Sequence, residues 1–203
     1  MTIKLIFTIF AIISYLIGFV PYLKDIARKK VQPHAISWAG WGLTTLLAFF
    51  AMSSELFNWA AFIVLVNSLA CFVVVIFSYV KGVAVTIFSQ YDSIFLVSGL
   101  LGVVLWQYFN NPDLAIIFAI IPDLSFGIPT IIKTYTNPFS ETKLAWLMST
   151  LSGFFSIFAI SYVSFTEIAY PIYLFIFDLT VFLLVTQIIR SQKKKSLGRH
   201  ECV

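Results

Sequence analysis

Apolar runs of about twenty residues recur along this chain with short polar stretches between them, and this rhythm limits the fold more than any motif does. A bilayer core about 30 Å thick needs roughly 20 apolar residues per helix. The chain supplies such lengths at 4–22, 35–53, 57–80, 92–109, 113–133, 143–163 and 165–189. These runs predict an all-α membrane protein with seven transmembrane helices and no stretch left over for a soluble domain. Composition points the same way: 11% of residues are charged, against about 25% in ordinary soluble domains. The first run could be taken for a signal peptide. It lacks a small-residue cleavage site, and its basic cluster follows the apolar run instead of preceding it, so it reads as a membrane helix.

Charge then sets an orientation. Lys24, Arg28, Lys29 and Lys30 follow the first span, Lys81 the third, Lys133 and Lys143 flank the loop before the sixth, and Arg190, Lys193, Lys194, Lys195 and Arg199 follow the seventh. With seven spans all of these fall on one side, opposite Lys4, Glu55, Asp113 and Glu167. The positive-inside rule puts that basic side in the cytoplasm and the amino terminus outside. The formal net charge of +4 is thereby accounted for by topology and attraction to anionic lipid. Nucleic-acid binding would need a basic domain that the chain lacks. Cys71 and Cys202 form neither a disulfide framework nor a metal-ligand spacing, and no cofactor or metal is expected.

An internal repeat organises the spans. Pro21 and Trp38 stand 17 residues apart around a basic loop, and Pro129 and Trp146 repeat that spacing at an offset of 108. Residues 1–81 and 113–190 therefore read as two copies of a three-helix unit, with 82–112 as a linker containing span four and 191–203 as a basic tail. One intervening span makes the copies enter the membrane in the same direction. Parallel three-helix repeats, related by an axis along the membrane normal, form a transporter architecture with substrate held near mid-membrane between the units.

The stretch "IGFVPYLKDIARKKVQPHAISWAGWGL" resembles the signature of the SWEET and SemiSWEET sugar transporters and the wider PQ-loop family. There an apolar helix ends in proline-glutamine, and a basic loop precedes an "IS" helix start. Here the dipeptides are Pro21-Tyr22 and Pro129-Thr130, so glutamine is missing from both copies. The three-plus-one-plus-three plan extends the resemblance over the whole chain. It implies a transporter of a small polar solute, a sugar above all, in which Pro21 and Pro129 act as hinges for alternating access.

Three strongly polar side chains lie near the middle of predicted spans: Asn67, Asp123 and Asp178. A carboxylate at such a depth costs at least about 2.5–3.5 kcal/mol on insertion scales, so it usually faces a cavity or a partner. Counted without gaps from Ile36, Asn67 falls where SWEET-like proteins hold a sugar-binding asparagine. Asp178 takes the matching place in the second copy if span seven begins three residues later. An asparagine donates and accepts, whereas an ionised aspartate only accepts, so Asp178 shifts preference toward a ligand with donors or makes the site titratable. The resemblance puts the family's pocket tryptophans at Ala51 and Ala159, which counts against a sugar. Trp41 is then a candidate to line the pocket from another height, while Trp38 and Trp146 read as an interfacial aromatic belt.

Asp123 belongs to a stripe with Ala119, Gly127 and Thr130 on one helix face, and its first-copy counterpart is Tyr15. A structural hydrogen bond and a proton-linked role are both open to it. Ser149, Ser152, Gly153 and Ser156 form a small face of the kind that mediates helix contact. His34, beside a helix start, reads as an interfacial polar residue. No catalytic motif appears in a fitting context, so no enzyme is expected. Besides a facilitative carrier, the alternatives are a proton-coupled amino-acid carrier of PQ-loop type, a ligand receptor without transport, and a packing subunit of a larger complex. A small solute and membrane lipid are the expected partners, a homo-oligomer stays open, and outer loops poor in glycosylation sites lean toward a bacterial cell membrane.

Overall fold

The computed structural model describes residues 2–54, 57–86, 111–136 and 141–200, together with the isolated positions 97, 101, 104, 108 and 109. Predicted span four, at 92–109, thus lies almost wholly outside the described residues. Among the described residues six helices have bounds: α1 (Thr2–Ala27), α2 (Ala35–Met52), α3 (Trp59–Val80), α4 (Pro112–Thr136), α5 (Lys143–Ala159) and α6 (Phe165–His200). All except α5 are long and apolar enough to cross a membrane. Their outward faces carry large apolar side chains, as at Ile6, Ile9, Ile13 and Leu16 along α1, which suits a hydrocarbon surrounding rather than water.

Helix boundaries follow local chemistry. The Nδ1 of His34 accepts from the backbone N–H of Ser37 at 3.3 Å and caps α2. Asn58 caps α3 by accepting from the Ala60 N–H at 2.9 Å. Each satisfies a donor that the first helical turn leaves without an intrahelical partner. The structure runs α1 through Pro21 to Ala27 and α4 through Pro129 to Thr136, so neither proline ends its helix. α5 stops at Ala159, short of the predicted 163, because the chain turns extended at Ile160. That turn brings Ser161 between two other helices: its hydroxyl accepts from the Trp59 N–H at 3.3 Å, and its carbonyl accepts from Lys4 Nζ at 2.5 Å. α6 carries on to His200, so most of the predicted tail continues the last helix.

Hydrogen bonds identify the two ends of the bundle. At one end Lys4, Trp59 and Ser161 meet, and Thr166 donates to Asp113. At the other, Thr142 donates to Asp25 at 2.9 Å, and the loop before α2 pairs with the segment after α3 through Ala35 N–H to Val85 O and Val85 N–H to Pro33 O, both 2.9 Å. This second end carries Lys24, Arg28, Lys29, Lys30, Lys81 and Lys143 and is called the basic end below.

Helix neighbours obey a pattern. α3 packs against both α1 and α2, while α6 packs against both α4 and α5. Between these triplets, α1 lies along α5 and α2 along α4. Exchanging α1 with α4, α2 with α5 and α3 with α6 leaves this set of neighbours unchanged. Alanines make the non-basic end tight: Ala11, Ala48, Ala51, Ala115, Ala119 and Ala159 are fully buried together. Nearer the basic end, a Cβ added to Gly18 of α1 would lie 2.7 Å from Met148 Cβ and 3.0 Å from the Ala145 carbonyl oxygen. Only glycine permits α1 and α5 to approach so closely there.

Candidate functional site

Between the triplets lies a cavity of about 690 Å³, its mouth included. It reaches from mid-helix, at Asn67, Asp123 and Asp178, toward the basic end, at Tyr22, Trp38 and Trp146. The packed alanines lie on its other side, among them Ala51 and Ala159. Asn67, Asp178, Trp41 and Asp123, four residues singled out from the sequence on four different helices, all line this one space.

Their states differ. Asp123 is 2% exposed, and its carboxylate is surrounded by donors. Thr44 Oγ1 and Tyr170 OH donate to Oδ1, at 2.5 and 3.0 Å, while Tyr173 OH donates to Oδ2 at 2.7 Å. Its backbone carbonyl accepts from Trp41 Nε1 at 3.0 Å. This residue of α4 therefore holds α2 and α6 by their side chains, and its acceptors are largely spent inside the protein. The rest of its stripe packs too: Ala119 is fully buried, and a Cβ on Gly127 would collide with the Phe177 ring at 2.4 Å.

Asp178 is the contrary case. It is only half-buried and lines the cavity, within electrostatic reach of Tyr15, Cys71 and Asp123. Among the described residues none hydrogen-bonds its carboxylate. Asn67 stands between these extremes: its Oδ1 accepts from Tyr15 OH at 2.8 Å and lies 3.8 Å from the Cys71 thiol, which leaves its amide N–H groups to face the cavity. Tyr15, which stands 108 residues before Asp123, thus donates where Asp123 accepts.

An aromatic wall completes the site. Tyr22 lies against Trp38 (centroids 5.2 Å), Trp38 meets Trp41 edge to face (5.4 Å), and Phe177 meets Trp41 and Trp146 edge to face (6.2 Å each). Trp38 and Trp146, expected in an interfacial belt, line the cavity instead. The physical reason is rotational: helix starts lie at interface depth, but these two side chains turn inward because α2 and α5 each pack against other helices. Tyr170, Tyr173 and Thr44 were not singled out as partners of Asp123. The spacing Tyr170, Tyr173, Phe177 puts the three on one helix face, a signal that was legible. Of the predicted small face on α5, Ser149 lines the cavity, and Ser152 and Ser156 are buried. Gly153 lets the α6 backbone come close, since a Cβ at that position would lie 2.9 Å from Phe175 Cα.

Among the described residues there is no group of three or more His, Cys, Asp or Glu side chains able to hold a metal ion. No family model, curated protein or solved structure matches the chain.

Proposed function

We propose that the protein is a membrane carrier of a small polar solute that works by alternating access around this cavity. The observation that carries the reading is that Asn67 of α3 and Asp178 of α6, the middle helices of two triplets with equivalent neighbours, line one space between those triplets. Carriers built from paired repeats place substrate at such a mid-membrane junction. The exchange pattern of helix neighbours supports the parallel three-plus-one-plus-three plan, and with it the resemblance to SWEET and PQ-loop transporters. In this reading the basic end faces the cytoplasm. Pro21 and Pro129 lie within helices that continue beyond them, where a missing backbone donor weakens the ladder and lets each triplet rock.

The resemblance implies a sugar. A second reading, a proton-linked amino-acid carrier, draws on Asp178, whose carboxylate faces the cavity without a hydrogen-bond partner among the described residues. Uptake of labelled hexose, disaccharide and several amino acids into proteoliposomes, with and without an inside-alkaline gradient, separates the two. Sugar entry indifferent to the gradient supports a facilitator; amino-acid accumulation driven by it supports proton coupling. If Asn67→Ala and Asp178→Ala both left the uptake of an established substrate unchanged, the site would be wrong.

A further inference from the structure

The cavity holds an unusual balance of charge and donors. Two carboxylic acids line it, and among the described lining residues none is Lys, Arg or His. Asp123 is occupied by three hydroxyl groups, whereas Asp178 has no such partner among the described residues. An ionised carboxylate in an apolar setting is costly until a cation or donor reaches it.

The aromatic wall narrows what that partner is. The indole N–H of Trp41 is committed to the Asp123 carbonyl and that of Trp146 to Glu141 Oε2, each at 3.0 Å. Both indole donors are therefore spent, and these rings line the cavity as aromatic carbon surface. Aromatic faces next to a carboxylate attract ammonium groups. A hexose would find Asp178, the Asn67 amide, Ser149 and the paired polar groups of Tyr22 and Trp38, with the Trp41 and Trp146 donors already spent, leaving part of its hydrogen-bonding capacity unmet. A zwitterionic amino acid would bring a further carboxylate into a space lined by two acids and, among the described residues, by no cation.

From this juxtaposition we infer that the solute is a small organic monocation without a carboxylate of its own, an amine or quaternary ammonium, with its charge held by Asp178 and its alkyl groups against Trp38, Trp41 and Trp146. The inference rests on the reading of this cavity as the solute site and specifies its substrate class. Ser149 and the Asn67 amide are then available to a hydroxyl on the same molecule.

The test uses the purified full chain in detergent, with tryptophan fluorescence read against tetramethylammonium, choline, glycine betaine, alanine and glucose, followed by flux of the same probes in proteoliposomes. Saturable quenching by tetramethylammonium and choline is expected, with glycine betaine weaker by about tenfold or more because its head group is matched but a carboxylate is added. Asp178→Asn should weaken choline by about tenfold or more while Asp178→Glu restores most of it, and Trp41→Phe should retain binding that Trp41→Leu loses. A monodisperse elution profile for each variant separates lost binding from lost folding. Binding of the cations without flux would uphold the ligand class and overturn the carrier. Flux of glucose or alanine with no cation binding or competition would overturn the ligand class and uphold the carrier. Equal affinity for choline and glycine betaine, or no response to Asp178→Asn, would also overturn the ligand class.

Discussion

The first helix triplet presents an amide steadied by a tyrosine to the cavity; the second presents two aspartates, one saturated by hydroxyl groups and one bare. Both triplets share one pattern of helix neighbours, so the backbone scaffold does not require this difference. What differs is where hydrogen-bonding capacity is spent. In the first, Tyr15 donates from α1 to Asn67 on α3. In the second, Tyr170 and Tyr173 donate from α6 to Asp123 on α4. The direction of donation between outer and middle helix is reversed, and each arrangement leaves one group facing the cavity: an N–H donor on Asn67 and an acceptor on Asp178. The cavity is thereby given two unlike walls.

The sharpest way to break the comparison is to separate the triplets. Gly18→Leu adds a side chain where even a Cβ would lie 2.7 Å from Met148, and loss of the monodisperse folded species by fluorescence-detected size exclusion is expected. The next largest effect divides the two aspartates. Asp123→Ala strands the hydroxyls of Tyr170 and Tyr173 and removes a tie between three helices. Intramembrane hydrogen bonds average about 0.6 kcal/mol and reach about 1.7, so a stability loss of about 2 kcal/mol and a lower melting temperature are expected. Asp178→Ala should keep the melting temperature close to that of the parent chain while abolishing solute uptake. Equal thermal destabilisation by the two substitutions would show that both carboxylates are structural.

Smaller changes sharpen it further. Tyr15→Phe removes the donor that steadies Asn67; a hydrogen bond worth about 0.5–1.5 kcal/mol net predicts a two- to tenfold rise in KM on the order of that energy, with folding intact. Smallest of all is Gly82→Ala, at φ 64° with open space around it. The left-handed backbone costs an alanine about 1 kcal/mol, so a slight fall in melting temperature with uptake unchanged is expected. A large loss of uptake would tie the segment after α3 to the transport cycle.

Helix starts and approximate lengths were legible because polar residues punctuate the apolar runs: Ala35, Trp59, Lys143 and Phe165 begin helices within a few residues of where the runs begin. Helix ends were less so. Pro21 looks like a stop in one dimension, yet a membrane helix tolerates it, and α5 ends early because Ser161 is drawn to Lys4 and Trp59. Depth along a span brought Asn67, Asp123 and Asp178 forward as candidates. It could not tell a saturated carboxylate from a bare one, since the deciding hydroxyls of Thr44, Tyr170 and Tyr173 come from other helices. The same limit applies to Trp38 and Trp146: their height is encoded locally, but their direction is set by helices far away in sequence.

The broadest packing of α1 is with α5 in the other triplet, not with its own neighbour α3. During biosynthesis, then, α1 waits for its main companion until residues 143–159 have been made. At 5–20 residues per second that delay is on the order of ten seconds. Meanwhile the groove at Gly18 must be filled by lipid or sheltered by the insertion machinery, and the pairing of Tyr15 with Asn67 is the nearest polar contact already within reach. Assembly of the two halves is therefore a late event, and a nascent chain halted before α5 would be the form most exposed to quality control.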